Sequence, residues 1–426
     1  MERKELLPGV YVTRIAAEKF NRCRLSLHFT FPAKRETATA HALLGLVMER
    51  GCASCPDMTE MTKKLARLYG ADLTVDGRSV GTNHDLCVSV TGVKDPFALE
   101  GEALTREYAQ LMLDEAFHPY LVDGVFAAGE VEIEKNMLKK HLENEINEKR
   151  IYCSRAAGRE FFKGTPAAIR QNGYLEEIDD QTPETLMAAY QEMLRTPQIE
   201  LMLFGIDDEN EAMVLDALKA ELSHIDRDPQ PLAQPLRIPV QEPQHFKESF
   251  DMVQAKLCMM FTMDTPVDLA ELQAYRLAMA IFGGSVTSRL FLNVREKLHI
   301  CYYCSSNFQT FTGSMAVNSG IEPANAEKAE AAILKELSDL CTGPITDEEL
   351  EDCRRGLLSG FDSIEDSISG IESWYAMEIW RGAGINTPAQ EKEKMLRVTK
   401  EDVQNILKRF HLSVSYLLTN KEESHG

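Results

Sequence analysis

The feature that most constrains the fold of this chain is a proline-rich segment near its middle. The stretch from His224 to Gln244 reads HIDRDPQPLAQPLRIPVQEPQ and holds five prolines in 21 residues. Proline lacks a backbone donor and disfavours helical backbone in the residue before it. Residues 224–244 are therefore predicted to be a linker that divides the 426 residues into two halves of similar length.

Both halves begin with the same order of elements. Residues 24–31 alternate polar and apolar side chains, which is typical of a strand, and an apolar helix follows over residues 37–50. A strand over residues 255–263 and a helix over residues 269–282 repeat this order in the second half. Further strands are predicted at 72–75, 85–91 and 199–205 in the first half, and at 301–309, 314–321 and 412–418 in the second.

This repetition predicts two similar α+β domains, each with an antiparallel-rich sheet backed by helices. The predicted boundaries are residues 1–223 and 245–426. Two domains also fit the length, because a single hydrophobic core stops growing near about 250–300 residues. In the first domain the charged run 130–149 is predicted to be one helix, in which Glu145 and Lys149 form an ion pair one turn apart.

Composition excludes several classes of partner. The chain carries 46 Lys and Arg against 67 Asp and Glu, a formal net charge of −21. Nucleic acids and anionic membranes attract cationic surfaces, so neither is expected as the main partner. No apolar run approaches the roughly 18 residues of a membrane helix, and the start, MERKELLPGV, lacks the apolar core of a signal peptide. A cytoplasmic location with reduced thiols is therefore expected.

Four of the ten cysteines form two C-x-x-C pairs, Cys52 with Cys55 and Cys301 with Cys304. About 245 residues separate the pairs, far more than is usual within a zinc site of four cysteines. Residues three apart in a regular strand point to opposite faces, so Cys301 and Cys304 are predicted to face apart. Small buried hydrophobes are the favoured interpretation of all four, and a shared zinc site is the alternative.

The most specific stretch covers residues 282–303 and reads FGGSVTSRLFLNVREKLHICYY. Its two glycines end one helix, and Ser285 or Thr287 can cap the next. Arg289 on that next helix is predicted to pair with an acidic neighbour or to cap structure. The stretch resembles the C-terminal-domain signature of the M16 (insulinase- and pitrilysin-like) metallopeptidases, roughly GG-x-SSRLF-x-x-(L/V)REK-x-G-L-A-Y. The matching residues are Gly283, Gly284, Ser288, Arg289, Leu290, Phe291, Arg295, Glu296, Lys297 and Tyr302, whereas His299 replaces a family glycine.

The resemblance extends over nearly the whole chain through its duplicated layout. It implies two LuxS/MPP-like domains that face each other as half of a clamshell. Within the family the chain is most similar to the zinc-less, YfmF-type subunits of the bacterial M16B branch.

The zinc motif of the M16 family is an inverted H-x-x-E-H on the first helix of the first half. The matching residues are His41, Leu44 and Gly45, so the first histidine remains, leucine replaces the catalytic glutamate and glycine replaces the second histidine. The third family ligand, a glutamate on a later helix, falls at or next to His141. Leucine cannot accept a proton and glycine offers no ligand atom, so the resemblance implies a degenerate zinc site and no cofactor in this chain. A remodelled metal site at His41 and His141 is the alternative.

Arg295 and Tyr302 match the R/Y pair with which the family orients a substrate carbonyl, because a guanidinium and a phenol are both donors. The expected function is the non-zinc subunit of a heterodimeric M16B peptidase that processes peptides such as leader peptides. Its expected partners are a zinc-bearing (YfmH-type) subunit and a peptide that pairs with a sheet edge of the first domain. The alternative is an inactive pseudo-peptidase that binds peptides or scaffolds a complex, linked by resemblance to modification of elongation factor P.

Overall fold

The computed structural model describes residues 1–233 and 235–421. The chain forms two compact units, of which one holds Met1–Glu143 with residues 169–233 and the other holds Asn144–Ala168 with residues 235–421. The predicted linker includes Gln234 and the predicted second domain includes residues 422–426, which lie outside the described residues.

The first unit contains one large sheet, one small hairpin and helices packed against the sheet. Its elements are β1 (Glu2–Leu7), β2 (Val10–Ile15), β3 (Arg22–Pro32), α1 (Ala38–Met48), α2 (Met58–Arg67), β4 (Asp72–Val80), β5 (Asn83–Val93), α3 (Leu104–Phe117), β6 (Leu121–Val122), β7 (Val125–Phe126) and α4 (Ala128–Asn144).

After the segment that joins the other unit, the first unit is completed by further elements. These are α6 (Pro183–Arg195), β8 (Gln198–Phe204) and α7 (Asp208–Leu222), while α5 (Lys149–Phe161) lies in the second unit. The sheet order is β1-β2-β8-β3-β5-β4, in which only β2 and β8 run parallel. The alternation in β3 places Leu25, Leu27 and Phe29 in the same core cluster as Leu43 and Leu44 of α1.

The second unit repeats this architecture. Its remaining elements are β9 (Gln244–Phe250), β10 (Ala255–Met263), α8 (Leu272–Met279), β11 (Cys301–Gln309), β12 (Ser314–Ile321), α9 (Ala326–Thr342), α10 (Asp347–Ile364), α11 (Ile368–Arg381), α12 (Pro388–Arg397), α13 (Lys400–Leu407) and β13 (Phe410–Asn420). Two π-helices, Ala280–Gly284 and Leu290–Lys297, separate α8 from β11.

The two sheets share one strand topology. The order β11-β12-β10-β13-β9 matches β4-β5-β3-β8-β2 of the first unit strand for strand, and the parallel pair β13–β9 matches β8–β2. β1 is an addition at one edge of the first sheet. The prediction of two similar α+β units with antiparallel-rich sheets is therefore confirmed. The match also makes β4 and β11 equivalent edge strands.

The predicted helix over residues 130–149 is wrong as a single element. α4 ends at Asn144, a 3-10 turn covers Glu145–Asn147, and α5 starts at Lys149. The predicted Glu145–Lys149 pair is replaced, because Glu145 pairs with Arg155 of α5. The break is also the point at which the chain passes from the first unit to the second.

α5 packs on the sheet of the second unit, although its residues fall within the predicted first domain. Its apolar face places Cys153, Ala157 and Phe161 in one core cluster with Met260 and Tyr416. The wrong assignment arose because sequence separation does not reveal which sheet an amphipathic helix covers. Among the described residues, no helix is both long and apolar enough to cross a membrane.

Candidate functional site

The degenerate zinc motif lies on α1, which packs against the sheet of the first unit. Leu44 is fully buried in the core cluster, together with Leu43 and Met48 of the same helix. His41 and Gly45 are four residues apart, so they share one helix face. That face lines a cavity of about 380 Å³.

The structure brings both predicted histidines to this cavity. His41 lines it from α1 and His141, an exposed residue, lines it from α4. Glu134 of α4 lines it as well, but its carboxylate receives a hydrogen bond from Arg50 at 2.9 Å. The structure therefore places the two histidines named from the sequence in one cavity, between α1 and α4.

The residues of this cavity do not fit a zinc ion. A Cβ atom added to Gly45 would lie 3.0 Å from Leu86 Cδ1 and 3.9 Å from Val75 Cγ1, so a side chain at this position requires Leu86 to shift. Leu44 offers no base, and it faces the core. Within residues 1–233 and 235–421, no group of three His, Cys, Asp or Glu residues is arranged to hold a metal ion.

His41 is held as a neutral, apolar-packed imidazole. Its ring lies 4.6 Å from the ring of Phe31, and burial lowers its pKa to about 4. One ring nitrogen hydrogen bonds to the backbone of Ala189, while Nε2 is buried without a hydrogen-bond partner in the described part of the chain. The surroundings of His41 therefore favour the uncharged imidazole.

The cavity also contains polar residues that the sequence did not single out. His84 of β5 is paired in register with Phe31, and burial lowers its pKa. Burial, with the charge of Asp76, raises the pKa of the Glu49 carboxyl. His84 could have been found from the sequence only if the register of its strand against β3 had been known.

The edge strand β4 forms one wall of the cavity through Val75, Asp76 and Gly77. Two side chains already cover part of this edge. The Glu49 carboxylate accepts a hydrogen bond from the backbone of Val75, and the Gln171 amide lies directly over the Cα of Gly77. An extended peptide that pairs with β4 must displace these contacts.

Arg295 and Tyr302 lie at the equivalent edge of the second unit. Arg295 is on the π-helix Leu290–Lys297, where its guanidinium lies 4.6 Å from the ring centroid of Phe291 and Nε lies 3.5 Å from a carboxylate oxygen of Glu296. Its side chain is 39% exposed. Tyr302 is the second residue of β11 and is 55% exposed. Both donors are therefore accessible.

A β-bulge sets the direction of Tyr302. In the pairing of β11 with β12, Cys301 lies opposite Ile321 and Tyr303 lies opposite Gly320, so Tyr302 is an extra residue without a partner. His299 just before it has a φ of +54°, in the left-handed region that favours glycine. The backbone explains why the family pattern has glycine at this position, and His299 adopts the same turn at a conformational cost.

The glycine pair of the signature allows close packing between the π-helix and β11. A Cβ atom on Gly283 would lie 2.8 Å from the backbone nitrogen of Ser306 and 2.7 Å from Leu290 Cδ1. Arg289 donates to both carboxylate oxygens of Glu349 and to the Pro344 carbonyl oxygen, at 3.0 Å. The prediction that Arg289 pairs with an acidic neighbour is confirmed.

The bulge also corrects the prediction for Cys301 and Cys304. Cys301 lies opposite Ile321 and Cys304 opposite Ser319, and these two partners are two residues apart on β12. Both cysteines therefore face the same side of the sheet, because the bulge adds one residue to the strand period. Both are buried, as the favoured interpretation predicted.

A buried Cys-His-Asp arrangement in the first unit was not found from sequence. His28 Nδ1 lies 2.9 Å from an Asp85 carboxylate oxygen and His28 Nε2 lies 3.7 Å from Cys87 Sγ. The order resembles that of a thiol nucleophile with its base. All three side chains are almost completely inaccessible, so the arrangement has no access to substrate.

Comparison with known proteins agrees with this geometry. Residues 180–357 match a family model described as the peptidase M16 inactive domain. A curated relative from Bacillus subtilis (strain 168), "Probable inactive metalloprotease YmfF", is 25% identical over 99% of this chain and 98% of its own length. The name of this relative, YmfF, corresponds to the subunit type that the sequence analysis called YfmF.

Solved structures show the same fold over the full length. A conserved protein from Enterococcus faecalis V583 has a TM-score of 0.91 at 25% identity and covers 99% of both chains. A peptidase M16 inactive domain from Pseudomonas fluorescens has a TM-score of 0.76 at 16% identity, with 97% of this chain and 95% of that one covered. A protease from Helicobacter pylori has a TM-score of 0.78 at 12% identity, with 98% and 99% covered.

The sequence signature, the duplicated sheets and these matches agree with one another. Residues 180–357 match the peptidase M16 inactive domain, and nearly the whole chain is similar in sequence to a probable inactive metalloprotease.

Proposed function

We propose that this chain is a catalytically inactive M16 subunit that binds peptide and supplies Arg295 and Tyr302 to a site completed by a zinc-bearing M16B partner. One contrast carries the proposal. The zinc-motif positions Leu44 and Gly45 are buried and offer neither a base nor a ligand atom, whereas the two donors at the equivalent edge of the second unit stay accessible.

The chemistry of this division follows from the residues. Leucine and glycine give α1 neither a base nor a second ligand, so the chain alone is inactive in peptide hydrolysis, and zinc would belong to the partner. Arg295 is always charged and Tyr302 carries a phenol, so both donate hydrogen bonds to a peptide carbonyl oxygen. Such donors matter most where negative charge develops on that oxygen.

The peptide is proposed to bind in extended form at a sheet edge. Backbone hydrogen bonds at an edge strand tolerate many sequences, which suits the processing of leader peptides. β4 is the candidate edge in the first unit, with Glu49 and Gln171 as the side chains that must move aside. Leader peptides and elongation factor P modification are proposed substrate contexts that rest on resemblance.

The experiment combines the purified chain with a zinc-bearing M16 subunit from the same organism and measures kcat/KM on a peptide library. We expect Arg295→Ala to lower kcat/KM about 10- to 100-fold and Tyr302→Phe to lower it by a smaller factor. Lys297→Ala, an exposed cation on the same helix, and Tyr303→Phe are the matched controls and should change little.

Unchanged cleavage in both Arg295→Ala and Tyr302→Phe would refute the shared site. A scaffold role without chemistry is the second candidate, favoured by the side chains that cover the β4 edge. It predicts that peptide affinity of the chain alone, measured by fluorescence anisotropy, is insensitive to both substitutions. Hydrolysis by the chain alone with one zinc per molecule would refute both candidates.

A further inference from the structure

Two thiols lie beside the proposed donors, and the proposed function does not use them. The bulge at Tyr302 turns Cys301 and Cys304 to the same face of β11. Both are buried, with Cys301 the more exposed of the two. Because β11 is an edge strand, the pair sits near the rim of the sheet rather than in its centre.

The two thiols contact each other, and the charge of Arg295 acts on Cys301. A hydrogen bond joins Cys301 and Cys304, and the Ser319 hydroxyl lies beside both. That hydrogen bond lowers the pKa of Cys301 and raises the pKa of Cys304 well above its usual value, and the charge of Arg295 adds to the lowering at Cys301. Cys301, the more exposed thiol and the one on which the charge of Arg295 acts, is therefore assigned as the thiol that reacts first.

We propose that Cys301 and Cys304 are a redox-active dithiol that hydrogen peroxide converts to an intramolecular disulfide. In the first step the Cys301 thiolate attacks one peroxide oxygen, the O–O bond breaks, and the departing hydroxide takes up a proton and leaves as water. In the second step Cys304 attacks the sulfenic sulfur of Cys301, forms the S–S bond and releases the sulfenic oxygen as a second water. Two thiols and one peroxide thus give one disulfide and two waters.

The position of the pair gives the modification a consequence for the proposed site. Tyr302 lies between the two cysteines, so the disulfide closes a small ring that contains it. Such a ring fixes the bulge and with it the direction of the Tyr302 phenol. This consequence rests on the proposed function, whereas the dithiol chemistry does not.

The other C-x-x-C pair is an internal control. Cys52 and Cys55 exchange two backbone hydrogen bonds of 3.0 Å, so their backbones are also close. Burial raises the pKa of Cys52, however, and the nearby Glu115 adds to the rise. The two pairs thus have the same sequence spacing. Their surroundings differ in effect, because they lower the pKa of Cys301 and raise the pKa of Cys52.

The test uses the full chain, reduced and freed of reductant, and exposes it to hydrogen peroxide near pH 7. Differential alkylation with mass spectrometry then measures the disulfide fraction at each pair over time. We expect the Cys301–Cys304 disulfide to form at least about tenfold faster than any disulfide at Cys52–Cys55. No oxidation of Cys301, or equal rates at both pairs, would overturn the proposal.

Two variants separate the steps. Cys304→Ser should accumulate a sulfenic acid at Cys301 that dimedone traps, without a disulfide; an untrapped, unreactive Cys301 contradicts the mechanism. Arg295→Gln should slow Cys301 oxidation about two- to fivefold and move its pH profile upward, whereas Lys297→Gln should do neither. These readouts need neither partner nor peptide, so they stand even if the shared peptidase site fails its own test.

Discussion

The two units share one strand topology. In it, α1 and β4 of the first unit are equivalent to α8 and β11 of the second. In the first unit, Leu44 of this edge is in the core and Leu86 lies beside Gly45. In the second unit a π-helix and a bulge keep Arg295 and Tyr302 accessible. The difference shows that equivalent edges of a duplicated fold can differ in which polar groups they leave accessible.

The physical causes differ in kind. At the first edge, apolar packing and burial favour neutral groups, and the low pKa of His41 reflects this. At the second edge, backbone geometry decides, because the left-handed His299 and the unpaired Tyr302 turn side chains outward. The following predictions test these two causes, from the largest expected effect to the smallest.

Leu44→Glu should have the largest effect. The substitution puts back the glutamate of the family motif, but its carboxylate would be buried in a filled core. We therefore expect the free energy of unfolding to fall by about 3–5 kcal/mol. Chemical denaturation measures it, and Met137→Glu, an exposed residue on the same cavity, is the control. A stable Leu44→Glu protein, or one that binds a zinc ion per chain when combined with Gly45→His, would show that the first edge is still open.

His41 should make the stability depend on pH. Its pKa is about 4 in the folded chain, below the ordinary 6.5, so the unfolded chain takes up a proton first as the pH falls. The stability is therefore complete above about pH 6.5 and decreases towards pH 4, by up to about 3 kcal/mol from this residue.

Denaturant unfolding at several pH values measures that slope. His41→Phe, which packs against Phe31 without titrating, should reduce the slope, and His141→Gln at the exposed wall of the cavity should not. An unchanged slope in His41→Phe would mean that water reaches His41, and the first edge would then be as open as the second.

His299→Gly should have the smallest effect and the opposite sign. Glycine adopts a φ of +54° without the steric cost of a Cβ, so we expect a gain of about 0.5 kcal/mol after the greater entropy of glycine in the unfolded chain is subtracted. Thermal unfolding measures it, with His245→Gly in β9 as a control that should destabilise. A loss of stability in His299→Gly would mean that the imidazole itself holds the turn.

Much of the fold could be predicted because its signals are local. The strand limits of β10, β11 and β12 agree with the alternation and turn residues of the sequence, and α1 differs from prediction by two or fewer residues at each end. The prediction of one helix over residues 130–149 was wrong because the break after Asn144 depends on contacts between residues far apart in the chain. α5 must reach the sheet of the second unit, where its apolar face is buried.

The candidate site, too, could be predicted from the sequence only in part. Motif matching identified His41, Leu44, Gly45, His141, Arg295 and Tyr302, because residue identity alone shows which groups can accept protons, bind metals or donate hydrogen bonds. It missed His84 and Glu49, which reach the cavity only through strand register and a helix end. It also placed Cys301 and Cys304 on opposite faces, because a bulge cannot be read from side-chain alternation.

The sequence by itself determined the repeated architecture and the residue types at the motif positions, since these depend on local periodicity and on residue identity. Only the tertiary structure decided that Leu86 lies beside Gly45, that burial lowers the pKa of His41, and that two thiols face the same side of β11. These properties depend on burial and on the distances between residues far apart in the chain, and packing rather than composition sets both.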